Sequence, residues 1–426
     1  MAEIKAFAAL RYTAKAGAPE ELVCPPYDII SEREREEYIA RNPRNIIRLE
    51  LPRDGSEPYY NASRTLDDWL ENQYLACDDK PGLYIYEEEF TALGVRRRIK
   101  GLCCRVRLEP FSKGVVLPHE ETLSKAKTDR FNLMKSTGCN FSSIYSLYFD
   151  EQKQIFPAIE RLSAGEPDFT IKSVEDGIIH RVWCVYDDAE IAGLENAFQD
   201  KALYIADGHH RYETALNYRK HLEENLVVTD ENHPANYCMM TLVNMEHEGL
   251  VVFPTHRIVR GLENFDAQTI LEGCKKYFTV TVLTAAEAEP ELLAEAEVGK
   301  QAFVFYAGDK YYLLTLLNPA VMDEILPGTS EVYRQLDVNV LHSLVLERLL
   351  HIDKENMANQ KNLIYTRDIA EAVAAVDNKE ANCAFIINAT RVDEIAGVAG
   401  AGEKMPQKST YFYPKLITGH IMNKIL

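Results

Sequence analysis

Much of what this sequence does not contain narrows it before any motif is read. It has no uninterrupted apolar run of membrane-spanning length, and its opening stretch, Met1 to Gly17, has no long apolar segment of the kind a secretion signal needs. Its nine cysteines are scattered and odd in number, with Cys103-Cys104 the one adjacent pair and no Cys-x-x-Cys. Neither a disulfide framework nor a zinc site is expected, and a reduced, cytoplasmic setting is. Basic charge is scarce: 47 Lys and Arg stand against 66 Asp and Glu, a net charge of -19. Such a surface disfavours nucleic acid and anionic membrane as partners. The G-x-x-x-x-G-K-[ST] and G-x-G-x-x-G nucleotide loops are absent, as is the G-x-S-x-G elbow of serine hydrolases. His-Glu-x-x-His fails because Leu123 stands where the second histidine belongs after His119-Glu120, so no resident metal is indicated.

What remains is a soluble globular composition, 46% hydrophobic and 27% charged, in a chain of 426 residues. That length exceeds one ordinary core. The patterning reads as mixed α/β throughout, with no internal repeat. Three parts are expected: an N-terminal α/β region (1–110), a central core (111–261) and a C-terminal α/β domain (262–426). Ser31 and Glu34 have capping-box spacing at the head of a charged helix that Asn42-Pro43 stops. Asn45 to Leu51 reads as a strand, and residues 58 to 76 as an amphipathic helix. Leu83 to Phe90 and Val95 to Leu108 form a hairpin about Leu93-Gly94. Farther on, Gln301 to Leu317 reads as a hairpin about Gly308-Asp309, and Val338 to Leu350 as an apolar helix.

The densest chemistry lies in Leu203-Tyr-Ile-Ala-Asp-Gly-His-His-Arg-Tyr-Glu-Thr-Ala-Leu216. Leu203 to Ile205 is an apolar, β-prone run, followed by a tight turn and a helix. Asp207 can cap that helix by accepting from the amide of His209 or His210. Gly208 allows a tight turn and close approach of a ligand. The helix start offers outward amides at the positive end of the dipole, and Arg211 a fork suited to phosphate or carboxylate. Tyr212, Ala215 and Leu216 fall at helical spacing for packing on a sheet. The bland alternative is a capped helix with two surface histidines.

Leu117-Pro118-His119-Glu120-Glu121-Thr122 is the natural partner motif, since a carboxylate held in hydrogen-bond reach can take a proton from an attacking hydroxyl. Lys125, Lys127, Arg130 and Lys135 follow it. They serve either to neutralise phosphate or nucleotide charge or as a solvated helix face. Tyr27 and Asp28, after Cys24-Pro-Pro, either receive a substrate amine or form a structural turn. Lys408, Ser409 and Thr410 either bind a phosphate or a carboxylate or cap a domain interface. Thr255-His256-Arg257 is a strand-end candidate for the same pocket.

Four stretches carry a resemblance along essentially the whole chain: Cys24-Pro-Pro-Tyr-Asp28, Val116-Leu-Pro-His-Glu120, Tyr204-Ile-Ala-Asp-Gly-His-His-Arg-Tyr-Glu213 and Met405-Pro-Gln-Lys-Ser-Thr-Tyr-Phe-Tyr-Pro-Lys415. Together they resemble a widespread bacterial family of uncharacterised proteins often labelled ParB- or SpoOJ-like. A more distant resemblance covers about a third of the chain: Pro-His-Glu followed by Asp-Gly-His-His-Arg is similar to the ADP-dependent free serine kinases. It implies a ParB/sulfiredoxin-like catalytic core with additional N- and C-terminal α/β segments. It implies Glu120 as the base for a serine hydroxyl, and Asp207 and His209 as organisers of the reacting phosphate. His210 and Arg211 would hold phosphate oxygens, with Gly208 and His119 in the same phosphate and nucleotide site. Sulfiredoxin chemistry is excluded because its loop needs a reactive cysteine where this chain has histidine. The interval from Glu120 to Asp207 is longer than the kinase pattern leads one to expect, so an insertion is implied.

The expectation is therefore phosphoryl transfer between a nucleotide and a small hydroxy amino acid. Serine or O-phosphoserine come first, in either direction, including phosphoserine dephosphorylation in serine biosynthesis. ADP or ATP, or AMP as acceptor, would bring Mg²⁺ with its phosphates. A homodimer is the partner chain this reading allows. The alternative is a non-enzymatic, ParB-like nucleotide-binding switch, which the net charge and the lack of a basic recognition helix disfavour.

Overall fold

In the computed structural model, residues 2–122, 124–228 and 230–426 are described, and of Ser124 and Lys125 only the backbone. The chain is mixed α/β and divides into two compact units. The first comprises 1–118, 122–251 and 414–426, and the second 119–121 and 252–413. The expected boundary at residue 110 differs from this division. It falls inside one sheet, because Val95–Arg107 and Leu203–Asp207 are strands of the same sheet.

That sheet of the first unit has nine strands. Eight run in the order Val116–Leu117, Leu203–Asp207, Ile144–Tyr148, Tyr237–Asn244, Val95–Arg107, Leu83–Ala92, Ile179–Val185 and Phe169–Lys172, and Ile4–Lys5 pairs with Val95–Arg107 off this path. The central hairpin follows from its turn. Leu93 and Gly94 both have left-handed φ, 52° and 73°, the two-residue geometry that matches strand twist. Val116–Leu117 pairs parallel with Leu203 and Tyr204. The chain therefore leaves both strands, at Pro118 and at Gly208, at the same end of the sheet.

Helix His209–Glu224 buries Tyr212 and Ala215 in the sheet's core, with Leu216 against it, as the spacing predicts, and it buries Tyr218 there too. The Tyr212 hydroxyl donates to Glu109 O and accepts from Glu109 N. Helix Ser124–Thr137 packs on it. The capping box at Ser31 and Glu34 is present at the start of Glu32–Arg41.

A second core in this unit gathers Tyr38, Ile47, Leu49 and Trp69. Here the reading of Asn45 to Leu51 as a strand is corrected, because Ile47–Glu50 is a helical turn. Asn45 explains it. Its side-chain oxygen accepts from the amide of Ile47 at 3.0 Å, and its side-chain nitrogen donates to Glu21 O and Val23 O, which pins the chain in a turn.

The second unit has a six-stranded antiparallel sheet in the order Phe278–Leu283, Tyr311–Leu316, Ala302–Tyr306, Cys383–Ile387, His256–Val259 and Leu363–Thr366. The apolar segment expected as one helix from Val338 is α-helical only over Asp337–Val340. It then widens into a π-helix over Leu341–Glu347. No helix among the described residues is long and apolar enough to cross a membrane, and the nine cysteines are free thiols.

Candidate functional site

Strand Leu203–Asp207 delivers its last residue to the charged loop of the first unit. The capping role expected for Asp207 is corrected: Gly208 is the N-cap, and no side chain caps the helix. The carboxylate of Asp207 instead accepts from Arg211 Nη2 at 2.5 Å and from Lys415 Nζ. Cation attraction is the stronger pull on it. Burial would raise its pKa, but the Lys415 ammonium and then the Arg211 guanidinium hold it well below the usual carboxylate range, with His209 adding to them.

Gly208 sits at φ 97°, where a side chain is strained. A side chain there would also be crowded. A Cβ there would lie 3.0 Å from both Nε and Nη2 of Arg211, so the guanidinium lies over the glycine. The other arm of that guanidinium donates to Ser143 O at 2.6 Å. His209 is 6% exposed and His210 half-buried, so the reading of two surface histidines does not describe the loop. One carboxylate, one ammonium and one guanidinium leave this loop a net positive charge at the start of a 16-residue helix, the arrangement that favours an anion.

Arg211 and Arg130 both line a water-sized cavity of about 30 Å³, together with Glu50, Ser142 and Thr214. Arg130 is nonetheless committed to protein partners. It donates to Glu50 O at 2.7 Å and to Asp129 Oδ2, lies 3.5 Å from Glu50 Oε1, and stacks 3.9 Å over the ring of Tyr27. Tyr27 is thus placed beside the basic cluster. Asp28, next to it in a short 3-10 turn, is exposed. Lys127 pairs with Glu213 at 2.8 Å. The side chain of Lys125 lies outside the described residues.

Reading residue types along the chain does not reveal several members of this neighbourhood. Lys415 is 208 residues beyond its partner. Glu50 is buried, and burial raises its pKa against the opposing pull of Arg130 and Arg211. Tyr145 pairs in register with Asp207, and burial, Glu88 and Asp207 all raise its pKa.

In the second unit, Glu120 bridges to Met405 and accepts from the amide of Lys408 at 2.8 Å. The Lys408 contribution is therefore its backbone, in a left-handed conformation at φ 58°, while its side chain is exposed. His119 is fully buried, with Nε2 2.9 Å from Thr410 Oγ1 and its ring against Phe412. Ser409 Oγ donates to Pro406 O. Arg257, wholly buried, donates to Thr255 O and to Lys408 O and lies over Tyr365. Burial lowers its pKa to about 10, against the pull of Tyr365 and Glu120. The second unit thus gathers Glu120, Lys408 and Arg257, three sites that are far apart in sequence. Among the described residues there is no group of three or more His, Cys, Asp or Glu that could hold a metal ion.

The sequence matches, over residues 4–339, the profile of a family described as "Protein of unknown function (DUF1015)". No curated protein matches it. Among solved structures, it is similar to a conserved hypothetical protein from Pyrococcus furiosus, at 16% identity and TM-score 0.36, over 76% of this chain and 95% of that one. It is similar to a free serine kinase in complex with AMP at 14% identity and TM-score 0.35, over 73% and 86%. It is also similar to C-terminally truncated SbnI from Staphylococcus aureus, at 11% identity and TM-score 0.34, over 74% and 86%.

Proposed function

The chain belongs to the DUF1015 family, and from that premise we propose that it is a phosphoryl-transfer enzyme acting on a small hydroxy amino acid, serine or O-phosphoserine first. The observation that carries this reading is the loop Asp207 to Arg211. An ionised carboxylate is held there by Lys415 and by Arg211, whose guanidinium lies over a glycine without a Cβ, at a helix start. Phosphoryl transfer asks mainly for positioning and for neutralisation of phosphate charge, and these groups supply both.

In the forward direction the serine hydroxyl oxygen bonds to the terminal phosphorus of the nucleotide, and the bond from that phosphorus to the leaving phosphate oxygen breaks. Resemblance to the serine kinases gives Glu120 the hydroxyl proton. His209, His210 and Arg211 bind phosphate oxygens, and Asp207 fixes Arg211 and Lys415. Mg²⁺ enters this reading only as the ion carried by the nucleotide. The ParB/sulfiredoxin-like core belongs to the same resemblance.

A ³¹P NMR time course on the protein with Mg²⁺ tests it. O-phosphoserine would be supplied alone, with AMP or with ADP, and serine with ADP or ATP. Phosphate released from phosphoserine alone identifies a phosphatase; nucleotide-dependent exchange identifies a kinase-type transferase and its direction. Silence in every tube, with folded protein, overturns the serine assignment. Glu120→Gln is expected to abolish turnover and to leave nucleotide binding nearly intact. Arg211→Ala is expected to weaken the phosphorylated ligand by on the order of 2 kcal/mol, the size of a lost charge-assisted contact. Full activity in either variant removes that residue from the site.

A further inference from the structure

Glu120 reaches the second unit on a segment of three residues, 119–121, and a loop of that unit closes on it. The Met405 amide donates to His119 O at 2.6 Å, Glu120 bridges to Met405, and the Lys408 amide donates to Glu120 Oε1 at 2.8 Å. The other backbone group of Lys408, its carbonyl, accepts from Arg257 Nη2 at 3.3 Å. One residue thus joins a carboxylate to a guanidinium through its two backbone groups. Lys408 holds a left-handed φ of 58° there, a conformation that is unfavourable for a residue with a side chain and that clusters at functional sites. The link uses none of the Lys408 side chain, which is exposed. Next to it, Ser409 O accepts from Thr390 Oγ1 at 2.8 Å, a second anchor for the loop.

Arg257 stands in strand His256–Val259 and is wholly buried. A buried guanidinium is disfavoured unless its donors and its charge are answered. Nη1 donates to Thr255 O and Nη2 to Lys408 O, the Tyr365 ring lies 5.4 Å away, and Nε has no partner among the described residues. Burial lowers its pKa, and Tyr365 and Glu120 pull against that. Packing alone gives no reason for such a group, because an apolar side chain of similar volume would fill the position without the desolvation penalty. A task for the fork does: its planar donors span two carbonyls, which no point charge can do, and so fix the backbone that holds Glu120.

We propose that Arg257 is a positioning residue for Glu120, holding its carboxylate in place through the backbone of Lys408. The positive charge also favours the ionised carboxylate, the form that accepts a proton. This rests on the reading of Glu120 as the base. Wholly buried, Arg257 acts without touching substrate.

Nuclear magnetic resonance on the full-length protein, labelled with ¹⁵N at lysine, tests the link without turnover. The Lys408 amide signal is expected to titrate with the Glu120 carboxyl, and Glu120→Gln to abolish that titration. The ionisable neighbours are Tyr365, His256 and His342 about Arg257, and His119, Glu121 and Lys404 along the segments at Glu120. All of them remain in Glu120→Gln, so the lost titration belongs to Glu120. Arg257→Lys keeps the charge and loses the fork. Its Lys408 amide is expected to exchange with water about tenfold faster or more, while the titration stays near its wild-type pH. Arg257→Gln also removes the charge, and the titration is expected to move to higher pH, which a merely structural arginine would not cause. Where the ³¹P experiment shows turnover, both variants are expected to lower kcat about tenfold or more with the nucleotide KM near its wild-type value. Where it is silent, the proposed reaction fails and the amide signal still decides the link. A Lys408 amide that does not titrate with Glu120, or that is unchanged in a folded Arg257→Gln, overturns the proposal, as does an unchanged kcat in that variant. Should neither variant fold, the wild type decides. The Arg257 Nε–H signal is then expected to follow the Glu120 titration and to lose it in Glu120→Gln, and a pH-independent signal overturns the proposal.

Discussion

Asp207 concentrates two opposite demands in one side chain. Burial disfavours its charge, while Lys415 and Arg211 require it, and the cations win. Asp207→Asn removes the anion and leaves two largely buried cations facing each other, which is expected to cost about 3 kcal/mol at pH 7. The pH dependence has a definite sign. The folded pKa lies below the unfolded value of about 3.9, so this stabilisation is fully present above about pH 4. It is lost as pH falls through the folded value. Urea denaturation at pH 7, 5 and 3 checks it: the gap between wild type and variant should be equal at 7 and 5 and narrow at 3. Equal stability at pH 7 would remove the trio from the account. At this scale, much of the site was legible because residue type alone flagged it. The stretch Asp207 to Arg211 has too many polar groups for a core turn. What Asp207 bonds to was not legible, since a capping aspartate and an ion-paired one look alike in sequence. Lys415 sat in a quoted motif, but no spacing rule joins it to a residue 208 positions earlier.

Elements were legible where turn chemistry decided them. Leu93-Gly94 announces its hairpin through the glycine, and the structure closes it with two left-handed residues. Asn45 to Leu51 misled because Ile47-Arg-Leu-Glu-Leu51 alternates apolar and polar residues as a strand does, while the Asn45 side chain, which selects the turn, bonds to Glu21 and Val23 more than twenty residues away. The π-turn was hidden for a different reason. Leu341 to Leu346 are all buried, so no polar face marks the register.

The start of helix His209–Glu224 offers a test at the same scale. Gly208→Ala combines an unfavourable φ with crowding of Arg211, whereas Gly94→Ala, at φ 73°, meets nothing within 4 Å. The Gly94 variant is expected to cost about 1 kcal/mol from backbone strain alone. Gly208→Ala should exceed it, because Arg211 must also move. Equal losses in thermal denaturation would show that the guanidinium yields freely and that its seat over Gly208 is not constrained.

At the scale of the whole molecule, the first unit is built from three stretches of chain and includes residues 414–426. Those residues carry Lys415, the buried side chains of Ile421, Met422 and Ile425, and the strand Asn423–Lys424, which pairs with Cys139 and Asn140. Ending the chain after Tyr413 is therefore expected to loosen the first unit and spare the second. Hydrogen exchange followed by mass spectrometry checks it. Amides of Leu203–Asp207 and His209–Glu224 should lose protection, while those of the strands Ala302–Tyr306 and Cys383–Ile387 keep theirs. Unchanged protection over 203–224 would show that the terminal stretch is dispensable. Fold class was legible from alternating patterns. The division into units was not, because a boundary that the chain crosses repeatedly leaves no linker composition to read.

The same three-stretch construction gives the molecule an order in time. A ribosome makes Asp207, and then all of residues 252–413, before Lys415 exists. Until that moment, the carboxylate of the loop has Arg211 and His209 beside it but lacks its ammonium partner. The charge cluster on which the proposed chemistry depends is completed only after the whole of 252–413 has been made, so a nascent chain that has not yet reached Lys415 carries its phosphate loop unfinished.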